Sequence, residues 1–482
     1  MRLMPAAVRP TTPGEKTVKP VSRRRDWGIA AAIAAPPLLL ILLIPPLQLG
    51  EILQIVGVTG LTHTGLFDWI ASTPDSAPLN FLAQFPLLAL FGNTRFGARI
   101  LSFVFALAAC YLFLRWARRI PLQRPCLALA AFLLLPLHYL LATKAQPFEQ
   151  GLFLSLAATL CFFSLIGRQT VLRAAMYAGL LLLCLYTSPY SFLPAVGLLA
   201  ALFVFVNRAH ERRALWFVLA ATAVPVLLFL PYLVWAHGHT AADWLFEPAS
   251  FPAGTPTFLQ PLYALAAQGW AACGLAFLFL WALAVGVWYA ARWPTAAMGK
   301  RRILVCCLGA AVFTIVLTLC FDAANGRAFA ARHVLWIAPD LIVAAFLGLE
   351  RVGKLLRSRR PVLTGALAIL ALSAASDIAY LSSNPPDIGR EANQVVPELT
   401  GDSCVVFVSE HYSESLFLVF QPQLAAHECM NFFHRKIVLA SHPYVRPDQQ
   451  SDAESFFRGL NFIERKRIHV AGGQIVVMQQ KR

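Results

Sequence analysis

Charge is scarce in this chain of 482 residues. Only 13% of its residues are charged, and acidic ones are the scarcer, 24 Asp and Glu against 40 Lys and Arg. With 58% hydrophobic residues beside it, so little charge excludes an ordinary water-soluble globule and places the chain among integral membrane proteins. Other absences narrow the class. No glycine-rich phosphate loop, dinucleotide fingerprint or sustained repeat is present, which argues against a nucleotide-sugar or ATP-dependent enzyme and against a solenoid. None of the cysteine spacings is that of a zinc site. Eight cysteines (Cys110, Cys126, Cys161, Cys184, Cys273, Cys306, Cys307 and Cys320) lie in or beside apolar runs, where a thiol serves as a small apolar side chain. Cys404 and Cys429 sit instead in a polar tail; in an oxidising compartment they can pair, and the sequence leaves that open.

What the chain does have is a succession of apolar runs with basic residues between them. The net charge of +16 therefore reads as membrane topology and not as nucleic-acid binding, because Lys and Arg collect in cytoplasmic loops. Residues 1–26, rich in Pro, Thr and Arg, read as a disordered basic cytoplasmic arm. The run at 27–47 is too long for a signal-peptide core and reads as an anchor. Spans are expected near 98–115, 125–143, 151–167, 174–188, 190–206, 214–236, 262–291, 303–320, 332–350 and 361–381, each near the length needed to cross about 30 Å of hydrocarbon.

Pro78 to Phe91 is apolar but short, suited to lying in the interface. If it does not cross, the clusters around Arg115–Arg124, Arg168/Arg173, Arg208–Arg213, Arg292–Arg302 and Arg351–Arg360 all fall inside; if it crosses, the later ones flip outward against the positive-inside rule. The expectation is an all-α polytopic membrane protein of about eleven spans over 27–381. Its N-terminus is inside, and 49–97 form a large external loop with juxtamembrane helices. Residues 382–482 then make a small α/β domain outside the membrane, with strands at 403–408, 436–440 and 474–478 and helical character at 414–420 and 453–460.

Polar chemistry first gathers between Gly50 and Arg99, which hold Glu51, Asp68, Asp75, a Ser-Ala-Pro-Leu turn and a short apolar helix. On the same expected face lie Thr143–Gln150, Tyr186–Tyr190, the loop from His237 to Gln260, and Asp322, Arg327, Arg332 and His333.

The order of these elements resembles the membrane-embedded glycosyltransferases of the C-type fold, especially the protein-mannosyltransferase and aminoarabinose-transferase-like branch. Gly50-Glu51 stands where that family has an acidic pair after its first span, and Ser76-Ala77-Pro78-Leu79 stands at its turn. Phe91-Gly92-Asn93-Thr94-Arg95-Phe96-Gly97-Ala98-Arg99 matches its Phe-Gly-Asp-x-x-Phe-Ala-x-Arg element. Ala142–Phe148 resembles its Ser-Gln-Glu-Ala-Arg-Pro-Tyr, and Arg332-His333-Val334-Leu335 with Pro339 its Arg-Tyr-Leu…Pro. The first acidic residue of the pair is Gly50 here, and the turn lacks the family's His or Lys. Either Glu51 takes over the catalytic role, or the centre has been lost.

The resemblance implies transfer of a sugar from a polyprenyl-phosphate-linked donor to a glycan, lipid or protein acceptor at the periplasmic face of a bacterial inner membrane. Such a site needs a carboxylate for the acceptor hydroxyl and cations for the departing lipid phosphate. Glu51 is the first candidate base, with Asp75 and Asp68 behind it; Arg99, Lys144 and Arg332 are the candidate phosphate ligands. Each also has a plainer reading: Glu51 and Asp75 as helix caps or turn residues, Asp68 beside Trp69 as an interface anchor, the arginines as snorkelling side chains. No cofactor is assigned; a divalent metal ion stays open, and His237, His239 and Asp243 are a weak donor pattern for one. The alternatives are a transporter or flippase, which is expected to place ionisable residues mid-span, and a non-catalytic relative that keeps the fold as a scaffold.

Overall fold

The computed structural model describes residues 23–43, 47, 51, 54–55, 58, 78–120, 122–135, 138–139, 142, 144–205, 209–237, 298–324, 335–358, 360–382, 388–399, 403–408, 421–427, 429, 435–441, 447–470 and 473–481. The helices are α1 (Arg23–Leu43), α2 (Pro78–Phe91), α3 (Arg95–Arg119), α4 (Pro125–Leu133), α5 (Phe148–Gly167), α6 (Val171–Thr187) and α7 (Pro189–Phe205). They continue with α8 (Ala209–His237), α9 (Met298–Ala324), α10 (Ala338–Leu355), α11 (Arg360–Ser382), α12 (Ile388–Val395) and α13 (Pro447–Gly459). Among the described residues, α3, Phe148–Ile166 of α5 and Leu215–Tyr232 of α8 are long and apolar enough to cross a membrane. Shorter apolar helices are Pro78–Phe91, Val171–Thr187, Pro189–Phe203, Cys306–Cys320 and Val362–Ala375. The span expected over 262–291 lies outside the described residues.

In the apolar run over 125–143, His138 and Tyr139 are helical, and α4 ends earlier, at Leu133, where the C-cap Leu134 donates its N–H to the Ala130 carbonyl at 2.9 Å. Pro136 follows two residues later; it has no N–H to donate and disfavours helical geometry in the residue before it.

The chain divides into two compact units. The larger consists mainly of residues 100–380, with 1–41 and 70–80. Its core is built around α10, where Ile342, Val343, Phe346 and Leu347 are fully buried, and it extends through Phe113, stacked on Phe132 at 4.6 Å between ring centres. Among the described helices, α7 and α9 pack most extensively. Gly197 allows this: a Cβ there would lie 2.6 Å from both the Ala310 carbonyl oxygen and Thr314 Oγ1. Between apolar helices in lipid, small residues permit this closeness where no hydrophobic driving force is available.

The second unit comprises 42–69, 81–99 and 381–482. Its C-terminal part is a four-stranded sheet of β1 (Ser403–Phe407), β2 (Lys436–Ser441), β3 (Phe462–Val470) and β4 (Gly473–Gln480) in the order β1-β2-β4-β3. β1 and β2 are parallel, and the remaining pairs are antiparallel. Central β2 reads as an apolar run because both its faces are covered: Ile437 and Leu439 face one apolar cluster, Val438 and Ala440 the other. β3 was not expected. Its Glu464, Arg465, Lys466 and Arg467 disguise a strand that pairs only with β4 at the sheet edge, where charge guards against edge-to-edge association. The helix expected at 414–420 lies outside the described residues.

Cys404 and Cys429 are joined by a disulfide that spans 25 residues of sequence. A loop of that size removes about 3 kcal/mol of unfolded-chain entropy. The Cys404→Ser/Cys429→Ser variant is therefore expected to expose the 400–482 segment to protease markedly faster than wild type. Replacing the unpaired Cys126 by Ser should leave the rate unchanged.

Lys466 hydrogen-bonds Glu398, and Arg467 hydrogen-bonds Glu464; each holds its partner carboxyl below the ordinary value of 4.5. A carboxyl lowered in the folded state stabilises above its ordinary value, and that contribution fades as pH falls through the folded value. Protease resistance of this segment is expected to be flat between about pH 6 and 8 and to decline below about pH 4.5. A decline on the alkaline side instead would contradict the assignment.

Candidate functional site

The stretch from Phe91 to Arg99 is a helix-to-helix turn whose residues each have a physical task. Gly92 ends α2 in the left-handed region, φ +69°, and donates its N–H to the Leu88 carbonyl at 2.8 Å, the conformation glycine adopts without a Cβ penalty. Thr94 caps α3: its Oγ1 accepts the Gly97 N–H at 3.0 Å and donates to the Phe91 carbonyl at 3.1 Å. Gly97 must itself be small, because a Cβ there would run into the Gly92 carbonyl oxygen. Gln84 of α2 donates to the Ala98 carbonyl at 2.8 Å, and Phe91 meets Phe96 edge to face at 5.1 Å. The turn is thus fixed from both sides, and it delivers Arg99 from the start of α3.

Arg99 meets Glu51. Its Nε lies 2.7 Å from Oε1 and its Nη2 2.7 Å from Oε2, while Nη1 is 3.4 Å from the Leu42 carbonyl oxygen. The pair is out of water: Glu51 is 0% exposed and Arg99 3%. Glu51 is helical, as are Gln54, Ile55 and Val58, and all four are buried; their spacing is that of one helix face. A planar guanidinium matched two-to-two with a carboxylate is the strongest and most directional of side-chain pairings. The chain therefore brings the leading candidate base and the leading candidate cation into one buried bidentate pair.

Lys144 belongs to the larger unit, in the turn before α5, and is half-buried. Its carbonyl accepts a hydrogen bond from Ser102 Oγ at 2.6 Å and another from the Gln146 N–H at 2.7 Å. In the first turn of α5, Gln150 accepts from Asn80 Nδ2 at 2.9 Å. Beside it, Glu149 Oε2 lies 3.3 Å from His138 Nε2, with both residues 0% exposed and the imidazole stacked on Phe132 at 4.3 Å. Ser102, Asn80, His138 and the pairing of Glu149 were not read from the sequence. His138 carried a signal, since a histidine inside an apolar run needs a partner on a neighbouring element.

Asp68, Asp75, Arg332, His239 and Asp243 lie outside the described residues, as does the side chain of His237. Among the described residues, no group of three or more His, Cys, Asp and Glu side chains is placed to hold a metal ion.

No protein-family model and no curated protein matches the sequence. Solved structures do. ArnT from Cupriavidus metallidurans in the apo state superposes with a TM-score of 0.58, at 12% identity, over 95% of this chain and 98% of that chain. ArnT from the same organism bound to undecaprenyl phosphate gives 0.56, at 12% identity, over 93% and 97%. The likeness shows the fold: this chain is mostly helical with a small sheet and shares its architecture with these two structures over nearly its whole length.

Breaking a buried ion pair strands one charge, at a cost of about 3–5 kcal/mol. Arg99→Ala and Glu51→Leu are each expected to lower the thermal-unfolding midpoint in detergent substantially. The double variant Glu51→Leu/Arg99→Met, which leaves no charge behind, should recover most of the loss. Two single losses that simply add in the double variant would show that the residues are not coupled.

Proposed function

We propose that this chain is a glycosyltransferase that moves a sugar from a polyprenyl-phosphate-linked donor to an acceptor at the periplasmic face of a bacterial inner membrane. The observation that carries the reading is the shared fold over nearly the whole chain, including the structure of ArnT bound to undecaprenyl phosphate. In this reading about eleven spans occupy 27–381, the arm of residues 1–26 is cytoplasmic, and 382–482 are periplasmic. The donor lipid enters laterally from the bilayer, and no nucleotide site is called for.

The acceptor hydroxyl oxygen bonds to the anomeric carbon while the bond from that carbon to the phosphate oxygen breaks. Polyprenyl phosphate leaves as the anion, and the hydroxyl proton passes to a carboxylate. Glu51 is that carboxylate, with Asp75 and Asp68 as the residues next in line. Arg99 holds Glu51 in orientation through two hydrogen bonds. Neutralising the leaving phosphate falls first to Lys144 and Arg332, because a preorganised cation there acts on charge that develops only during transfer. One observation favours the second reading, a non-catalytic relative: both Glu51 oxygens are already engaged by Arg99.

The purified protein in detergent, given radiolabelled polyprenyl-phosphate sugars and an envelope extract as acceptor, is expected to transfer label. Glu51→Gln should reduce transfer by about a hundredfold or more while retaining donor binding. Transfer that persists in Glu51→Gln would move the role to Asp75 or Asp68. Folded protein that transfers from no donor would favour the non-catalytic relative or a transporter.

A further inference from the structure

Lys144 stands in a turn and not on a regular element, yet its backbone is anchored twice. The Gln146 N–H already satisfies the Lys144 carbonyl at 2.7 Å, and one donor is enough to remove the cost of burying a carbonyl. Ser102 Oγ, from α3 and 42 residues away in sequence, takes the second lone pair at 2.6 Å. Ser102 is itself 3% exposed, so a hydroxyl has been placed inside an apolar helix bundle to reach this one carbonyl. Pro147 follows with φ −69° as the N-cap of α5, and the bond from Asn80 Nδ2 to Gln150 fixes the first turn of that helix. The segment that carries Lys144 is therefore held at both ends by side chains from other helices.

We propose that Ser102 is a positioning residue: its hydroxyl fixes the Lys144 backbone so that the ammonium is presented to the phosphate of the lipid-linked donor. The inference rests on the transferase reading. A lysine has a long, flexible stem and no planar fork to fix its approach. Holding its backbone is then the means left to the fold of placing the charge, and misplacement by about 1 Å is enough to weaken the interaction strongly.

The test uses the full chain in detergent and undecaprenyl phosphate as the probe, with the dissociation constant and thermal midpoint read for each variant. Ser102→Thr keeps the hydroxyl and Ser102→Val removes it at nearly the same volume, so the pair isolates the hydrogen bond from packing. Ser102→Val is expected to weaken binding about tenfold and Ser102→Thr by less than about threefold. Lys144→Gln should weaken it at least as much, and adding Ser102→Val to Lys144→Gln should cost nothing more. Equal affinities for Ser102→Thr and Ser102→Val would overturn the proposal. So would a full additional loss from Ser102→Val in the Lys144→Gln background, which would mean that the hydroxyl acts other than through Lys144. Wild-type protein that does not bind undecaprenyl phosphate would overturn the transferase reading and this proposal with it, a result distinguishable from the first two because there wild type binds.

Discussion

Two opposite charges taken out of water together constrain everything around them, because neither can be left alone. Glu51 and Arg99 are 48 residues apart and share two hydrogen bonds of 2.7 Å in a site closed to solvent. The pair ties the helical face of Glu51, Gln54, Ile55 and Val58 to the start of α3, and Nη1 reaches toward the Leu42 carbonyl at the end of α1. The turn from Phe91 to Gly97 takes its meaning from this. A cap that fixes where α3 begins also fixes the guanidinium that α3 carries one turn in. Gly92, Thr94 and Gly97 are thus requirements of the charge pair as much as of the backbone.

In the larger unit the same rule works with neutral groups. Hydrocarbon offers no water to a polar atom, so each must find its partner within the protein. The turn before α5 shows how this is done: Ser102 reaches the Lys144 carbonyl and Asn80 reaches Gln150. Each partner comes from a different segment, so the polar atoms that burial makes expensive also fasten the segments to one another. Away from these points apolar contact does the work, with α10 at the centre and Gly197 allowing α7 and α9 to approach closely.

How much was legible in the sequence follows from the range of each interaction. Helix positions were readable because hydrophobic runs are local, and three of the four strands because a doubly covered strand is a run of β-branched and aliphatic residues. The Phe-Gly…Arg turn was readable through its resemblance to a family element, while the tasks of Gly92, Thr94 and Gly97 in it were not. The Glu51–Arg99 pair was not, although both residues were singled out, since nothing in a linear pattern states that two charges 48 apart will meet. They were assigned separate roles, base and phosphate ligand, and the structure makes them one object. β3 was hidden by its edge position, which replaces the apolar signal with charge.

Gly50 in place of a first acidic residue gives this chain one carboxylate where the resembling family has two, and under the transferase reading that changes what Arg99 must do. Two adjacent carboxylates can divide the work, one taking the proton and one setting geometry. A single carboxylate must do both, and a glutamate has three rotatable bonds with which to lose its orientation. The bidentate contact of Arg99 removes that freedom. Under that reading, the arginine that engages both oxygens of Glu51 is the reason one carboxylate suffices.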